Sequence, residues 1–226
     1  MVMNLRRIAW MGMATLVALA AGARAQQPGA GSTAQTPPPA ATFESQAEEF
    51  LAAVRGATPL ACELIVRSLG QGWFSGGWSR APDAERRVRE QARWAAERRD
   101  DPSIVPTLRA GLEDADACVR RASARLLGST RHPSAVEALL DALQSPNPTT
   151  RQLAAVGLGY ADDPDAVDPL LRVLRDEDAG VRAAAAWALG RIEDRRAVAP
   201  LTRLLLDDVD PAVRRAAALA LGDILG

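Results

Sequence analysis

The chain has 226 residues, among them 27 arginines, no lysine, 28 acidic residues, one histidine and two cysteines, for a formal charge of −1. Without lysine there is no side-chain amine for Schiff-base chemistry, and one histidine with two cysteines makes no cluster at zinc spacing. The near balance of charge argues against a nucleic-acid groove and for a solvated, mixed surface.

Residues 1–25 read as a signal peptide. Arg6 and Arg7 precede an apolar run from Ile8 to Gly22, and Ala23-Arg24-Ala25 sets small residues where a signal peptidase cuts. The run, about 15 residues, falls short of the roughly 20 a bilayer-spanning helix needs, so no membrane span is expected in the mature chain. The protein is therefore expected in the periplasm or secreted, which again argues against nucleic acid as a partner. Cleavage would leave 24 basic against 28 acidic residues. Residues 26–42, uncharged and ending in Pro37-Pro38-Pro39 before Ala40-Ala41-Thr42, read as a disordered Pro/Gly/Ala-rich spacer.

Residues 43–83 are expected to form a helical cap with a Trp/Gly loop. Apolar residues at 43, 47, 50, 51 and 54 follow a helical period, and Thr58-Pro59 opens a second helix from Leu60 to Leu69. The segment Gly70 to Ser79 then gathers glycines around Trp73, Phe74 and Trp78. Two readings stand side by side: the aromatics plug the end of the core, or they form a partner-binding contact on a loop.

From residue 84 to 226 the chain repeats itself. Val105, Val136, Val167 and Val198 are spaced by 31 residues, and Gly128, Gly159, Gly190 and Gly222 follow at intervals of 31, 31 and 32. Such a period predicts stacked helical hairpins. In each copy a first helix carries an apolar stripe such as Val136, Leu139 and Leu143, with proline at 106, 169 and 200 in the first turn. Asp116, Asn147, Asp178 and Asp210 stand as N-caps of an alanine-rich second helix. Leu-Gly pairs ending at 128, 159, 190 and 222 are expected to close that helix, glycine taking the left-handed turn.

These columns, helix, turn, D-x-x-V-R, alanine-rich helix and L-G, resemble bacterial HEAT repeats of the kind found in phycobilisome lyases. The likeness covers three complete copies from about Asp101, Arg131 and Asp163, a fourth from Asp194, and a half copy in which Val88-Arg89 aligns with Val119-Arg120. It implies an all-α, right-handed α-α solenoid. It also implies an Asp-to-Arg ladder between neighbouring repeats, drawn from Asp114, Arg120, Arg151, Asp176, Arg182, Asp208 and Arg214; the competing reading of the arginines is an anion-binding stripe. Ser145 interrupts the acidic column and Thr150 the valine column in the same copy, which marks that repeat as the weakest joint.

The even cysteine count in an exported chain suggests a disulfide between Cys62 and Cys118, tying cap to solenoid, with buried free thiols as the alternative. His132 stands where other copies carry Asp101, Asp163 and Asp194 and is expected to cap that turn. No nucleophile with a neighbouring base is evident, and the His-Glu pairs of HEAT-like iron hydroxylases are missing. The expected function is a non-catalytic, cofactor-free scaffold for protein-protein interaction, its partner unidentified. The alternative, permitted by the resemblance, is a lyase-like or chaperone-like subunit handling a prosthetic group, which would call for a deep cavity beside Trp73 or Trp187. At the C-terminal repeat, Val213, Leu219 and Ile224 are expected to be partly exposed and to support self-association.

Overall fold

The computed structural model describes residues 42–69, 101–130 and 132–226, all within one compact unit, Ala40–Gly226. Outside the described residues lie the expected signal peptide of 1–25, nearly all of the expected spacer, the segment bearing Trp73, Phe74 and Trp78, and the half copy expected around Arg89. The described residues are helical without strands.

Two helices open the fold, α1 (Phe43–Val54) and α2 (Pro59–Ser68). Four hairpins follow: α3 (Val105–Gly111) with α4 (Ala117–Ser129), α5 (Pro133–Ala142) with α6 (Pro148–Ala161), α7 (Val167–Val173) with α8 (Ala179–Ile192), and α9 (Val198–Asp207) with α10 (Pro211–Leu225). Side chains accepting backbone N–H groups fix where they start. Asp116, Asn147, Asp178 and Asp210 cap the second helices. Asp101, His132, Asp163 and Asp194 cap the first helices or the short 3-10 turns leading into them. Each such cap satisfies a donor that a helix start leaves orphaned.

Packing follows the period. Each first helix lies on its own second helix, and the second helices lie on one another in the order α4, α6, α8, α10. The first-helix leucines Leu108, Leu139, Leu170 and Leu201 are wholly buried, as are Leu127, Leu158 and Leu189 of the second helices. Burying one such side chain is worth about 1.5–3 kcal/mol, and here each is covered partly by a neighbouring repeat, so no hairpin owns a core of its own. Helix α1 packs on α3 and α4, and α2 on α4, which brings Phe50 and Val54 into the same continuous core.

The glycine column does something other than end helices. Gly128, Gly159, Gly190 and Gly222 all lie inside α4, α6, α8 and α10. The left-handed residues that close α6 and α8 are Asp162 and Glu193, at φ 54° and 56°. A β-carbon on Gly128 would collide with the Gly157 carbonyl oxygen, and one on Gly190 would stand 2.7 Å from the Ala220 α-carbon. Gly128, Gly159 and Gly190 therefore let second helices approach backbone to backbone, as small residues at a helix contact do, while a β-carbon on Gly222 would meet nothing within 4 Å. Of the C-terminal apolar residues, Val213 is wholly buried and Ile224 is 8% exposed, contrary to expectation, while Leu219 is 65% exposed.

Candidate functional site

The most ordered polar structure is a set of guanidinium groups held alike in successive repeats. Arg120, Arg151, Arg182 and Arg214 each stand in the first turn of a second helix, four residues beyond its cap. Each turns one Nη back onto two carbonyls of the preceding turn: Asp114 and Ala115 (2.7 and 2.8 Å), Ser145 and Pro146 (3.0 and 3.2 Å), Asp176 and Glu177 (2.9 and 3.1 Å), Asp208 and Val209 (2.8 and 3.1 Å). In Arg151 and Arg182 that anchor leaves Nε and the second Nη facing the following repeat.

Two joints use that edge. Arg151 donates from Nε and Nη2 to both oxygens of Asp176 at 2.8 Å, and Arg182 does the same to Asp208 at 2.7 and 2.9 Å. Side-chain exposure is 11% and 12% in the first pair, 13% and 6% in the second. Bidentate charge-assisted bonds of this kind are the strong class. The hydrogen bonds from Arg151 and Arg182 hold the Asp176 and Asp208 carboxyls below the usual aspartate value, with the N–H groups of Asp178 and Asp210 helping. The arginines are raised in return by the same bonds.

The other predicted ladder residues fall differently. Asp114 takes its bidentate partner from the cap: Arg55, at the end of α1, donates at 2.8 and 2.6 Å. Arg120, by contrast, reaches no carboxylate among the described residues, because the next repeat offers Ser145. The Ser145 hydroxyl accepts the Asn147 N–H at 3.2 Å, keeping the turn, and donates to Glu113 Oε1 at 3.2 Å. Arg214 keeps the two carbonyl contacts and finds no carboxylate among the described residues either. Arg55 was not legible in the sequence, since it lies outside the period.

The cap is fastened further. Cys62 and Cys118 are disulfide-bonded, their α-carbons 5.6 Å apart. Gly56, at φ +74°, sends its N–H to the Asp116 carboxylate at 2.9 Å. That bond, followed by those from Val119 and Cys118, holds the Asp116 carboxyl below its ordinary value.

A second constellation lies across the second helices. The Arg125 guanidinium of α4 sits 3.7 Å from the centroid of the Tyr160 ring of α6. Tyr160 meets Trp187 of α8 edge to face at 5.1 Å and 70°, and Arg191 lies 5.9 Å from the Trp187 ring. Arg125, Tyr160 and Trp187 are half-buried and Arg191 is exposed, so the row reaches solvent. Cation-π and edge-to-face contacts hold these rings in fixed poses.

Two grooves of about 310 and 610 Å³ lie elsewhere, between successive first helices. The smaller is lined by Arg109, Glu113, Asp141, Gln144, Ser145 and Thr150 among others, the larger by Gln144, Pro169, Arg172, Arg175 and Asp176 among others; neither includes Trp187. Among the described residues no group of histidine, cysteine and acidic side chains is arranged to hold a metal, and no helix is long and apolar enough to cross a membrane.

The chain is similar, at 22% identity over 72% of its length and 99% of the other, to the complex of CpcE and CpcF of phycocyanin lyase from Nostoc sp. PCC7120 (TM-score 0.47). It is similar at 19% identity to human deoxyhypusine hydroxylase, over 80% of this chain and 79% of that one (TM-score 0.46). An engineered protein matches at 20% identity over 79% of this chain and 96% of its own (TM-score 0.41). No curated protein sequence matches. The family model described as HEAT repeats matches residues 79–148 and 136–222, more than half of the chain. With hairpins, inter-repeat arginine pairs and a matching family model in the same residues, the chain belongs to the HEAT-repeat family.

Proposed function

We propose that this protein is an exported, non-catalytic scaffold that binds a protein partner across the solvent-facing side of its second helices. The observation that carries the reading is the row Arg125, Tyr160, Trp187 and Arg191, which presents two rigid aromatic rings and guanidinium groups to solvent on three successive repeats. Tryptophan, tyrosine and arginine are the residues that most often dominate binding energy at protein interfaces. A periplasmic or secreted location is supported by the charge and apolar pattern of residues 1–25.

The test is affinity capture from an envelope extract with three baits: the intact chain, Tyr160→Ala with Trp187→Ala, and Trp73→Ala with Trp78→Ala. The first pair is expected to abolish capture of a specific protein; equal capture by all three baits would remove both the row and the loop from contention. Location is checked by fractionation and N-terminal sequencing, with a mature terminus expected near Gln26.

The alternative of a lyase-like or chaperone-like subunit calls for an enclosed apolar pocket; the smaller described groove is lined mainly by charged and polar side chains, and the larger mixes Leu140, Leu143, Pro169 and Val173 with as many polar ones. Self-association is a second mode of protein binding, favoured by Leu219 and Leu225, 65% and 64% exposed on α10. Sedimentation velocity over a concentration series is expected to reveal a dimer that Leu219→Glu weakens; a monomer throughout would refute it.

A further inference from the structure

Of the ladder arginines, Arg120 poses a separate question. Its Nη1 bonds to the Asp114 and Ala115 carbonyls put it in the pose from which Arg151 and Arg182 grip carboxylates. By the register of the repeats, its remaining edge corresponds to the one turn in which serine replaces aspartate. Ser145 retains the turn hydrogen bond that Asp114, Asp176 and Asp208 also make, 2.8 to 3.0 Å in those copies, and lacks the second oxygen that would meet a guanidinium. The joint is therefore built for a carboxylate that the chain does not supply. A second departure lies in the same copy. Thr150, 1% exposed where other copies have valine, carries a buried hydroxyl without a partner and lines the same groove as Ser145.

We propose that the gap between Arg120 and Ser145 is a binding slot for an external carboxylate, contributed by an acidic side chain of the protein partner. The slot stands on the geometry of this joint alone; the source of its occupant rests on the scaffold reading above. Recognition works by completing the ladder. The guest carboxylate accepts from Arg120 Nε and Nη2 as Asp176 accepts from Arg151, and the anchor on two carbonyls means the guanidinium is already oriented before the guest arrives. The charges that flank the slot are Glu113, held to Ser145, and the Arg109–Asp141 pair at 3.3 Å. Glu113 opposes the guest's charge, so the slot selects a group that reaches Arg120 in bidentate geometry over a diffuse anion.

The experiment uses the full chain with nitrogen-15 arginine, reading the side-chain Nε–H resonances during titration with sodium formate, with sodium chloride at equal ionic strength as reference. Arg120 is assigned by its loss in Arg120→Gln. Formate is expected to shift the Arg120 signal saturably while Arg151 and Arg182 stay still. Ser145→Asp, which fills the slot from within, is expected to move the Arg120 signal towards those two and weaken formate binding by about tenfold or more. The thermal stabilisation that formate confers is expected to vanish in Arg120→Gln. An equal formate response in the wild type and Ser145→Asp, or none in the wild type, overturns the slot. Capped N-acetyl-aspartate amide forms the second arm: binding beside formate supports a side-chain guest, and formate alone overturns that source. Neither result bears on capture through Tyr160 and Trp187, so the slot and the scaffold reading fail separately.

Discussion

Adding one methyl group at two positions of the same sequence column is expected to change stability in opposite directions. In the middle of an exposed helix, alanine in place of glycine gains about 0.8–1.0 kcal/mol. At Gly222 a β-carbon meets nothing within 4 Å, so Gly222→Ala collects that gain whole. At Gly128 the new carbon collides with the Gly157 carbonyl oxygen and lies 2.8 Å from the Tyr160 β-carbon. Both obstacles are fixed to the backbone of α6, so the helices must move apart, and overpacking of this sort costs about 3 kcal/mol at the upper end of its range. The net effect of Gly128→Ala is a loss of roughly 2 kcal/mol, set by that cost less the propensity gain. For a domain of this size 1 kcal/mol corresponds to about 2–4 °C in Tm. Thermal unfolding followed by far-UV circular dichroism should therefore place Gly128→Ala about 4–8 °C below the wild type and Gly222→Ala about 2–4 °C above it. Equal shifts, or stabilisation by both, would refute close helix approach as the purpose of the column.

Three other outcomes are expected. Arg182→Met leaves the Asp208 carboxylate, 6% exposed, with only backbone support and costs about 2 kcal/mol in chemical denaturation, whereas Arg196→Ala, at a half-exposed pair with Asp168, leaves the midpoint nearly unchanged. Replacing Cys62 and Cys118 by serine opens a 56-residue span and lowers stability by about 4 kcal/mol on the chain-entropy account, read as a fall in denaturation midpoint that matches reduction of the wild type. Because Asp176 and Asp208 titrate lower in the folded chain than the ordinary 3.8, the stability they confer is complete above that value and lost as pH falls through their folded values. Acid titration of Asp208→Asn should then show a shallower loss than the wild type; an identical slope would contradict the pairing.

What could be read from sequence divides along a physical line. Caps and helix starts were legible because they are local: Asp116, Asn147, Asp178 and Asp210 bond to N–H groups two or three residues away. The glycines were misplaced because a glycine that ends a helix and one that admits a neighbouring helix both follow a leucine, and only the contact between repeats tells them apart. The Arg151 and Arg182 pairs bridge 25 and 26 residues and needed the family likeness to be expected at all. Arg55 and the Tyr160–Trp187 contact escaped, the first because it belongs to no repeat, the second because the two rings occupy different columns that meet only when one hairpin is laid on the next.

The joints of the array are unequal in strength. Between the opening helices and the first full hairpin there are a covalent cross-link, an arginine clasp from Arg55 and a backbone bond from Gly56, whereas the seam at Ser145 has among the described residues only the Ser145–Glu113 bond and the exposed Arg109–Asp141 pair in place of a buried arginine clasp. A stack of nearest-neighbour units parts where adjacent units hold each other least. By that rule the seam separates a riveted block from the repeats that follow it, and strain applied to the array is expected to be relieved there first.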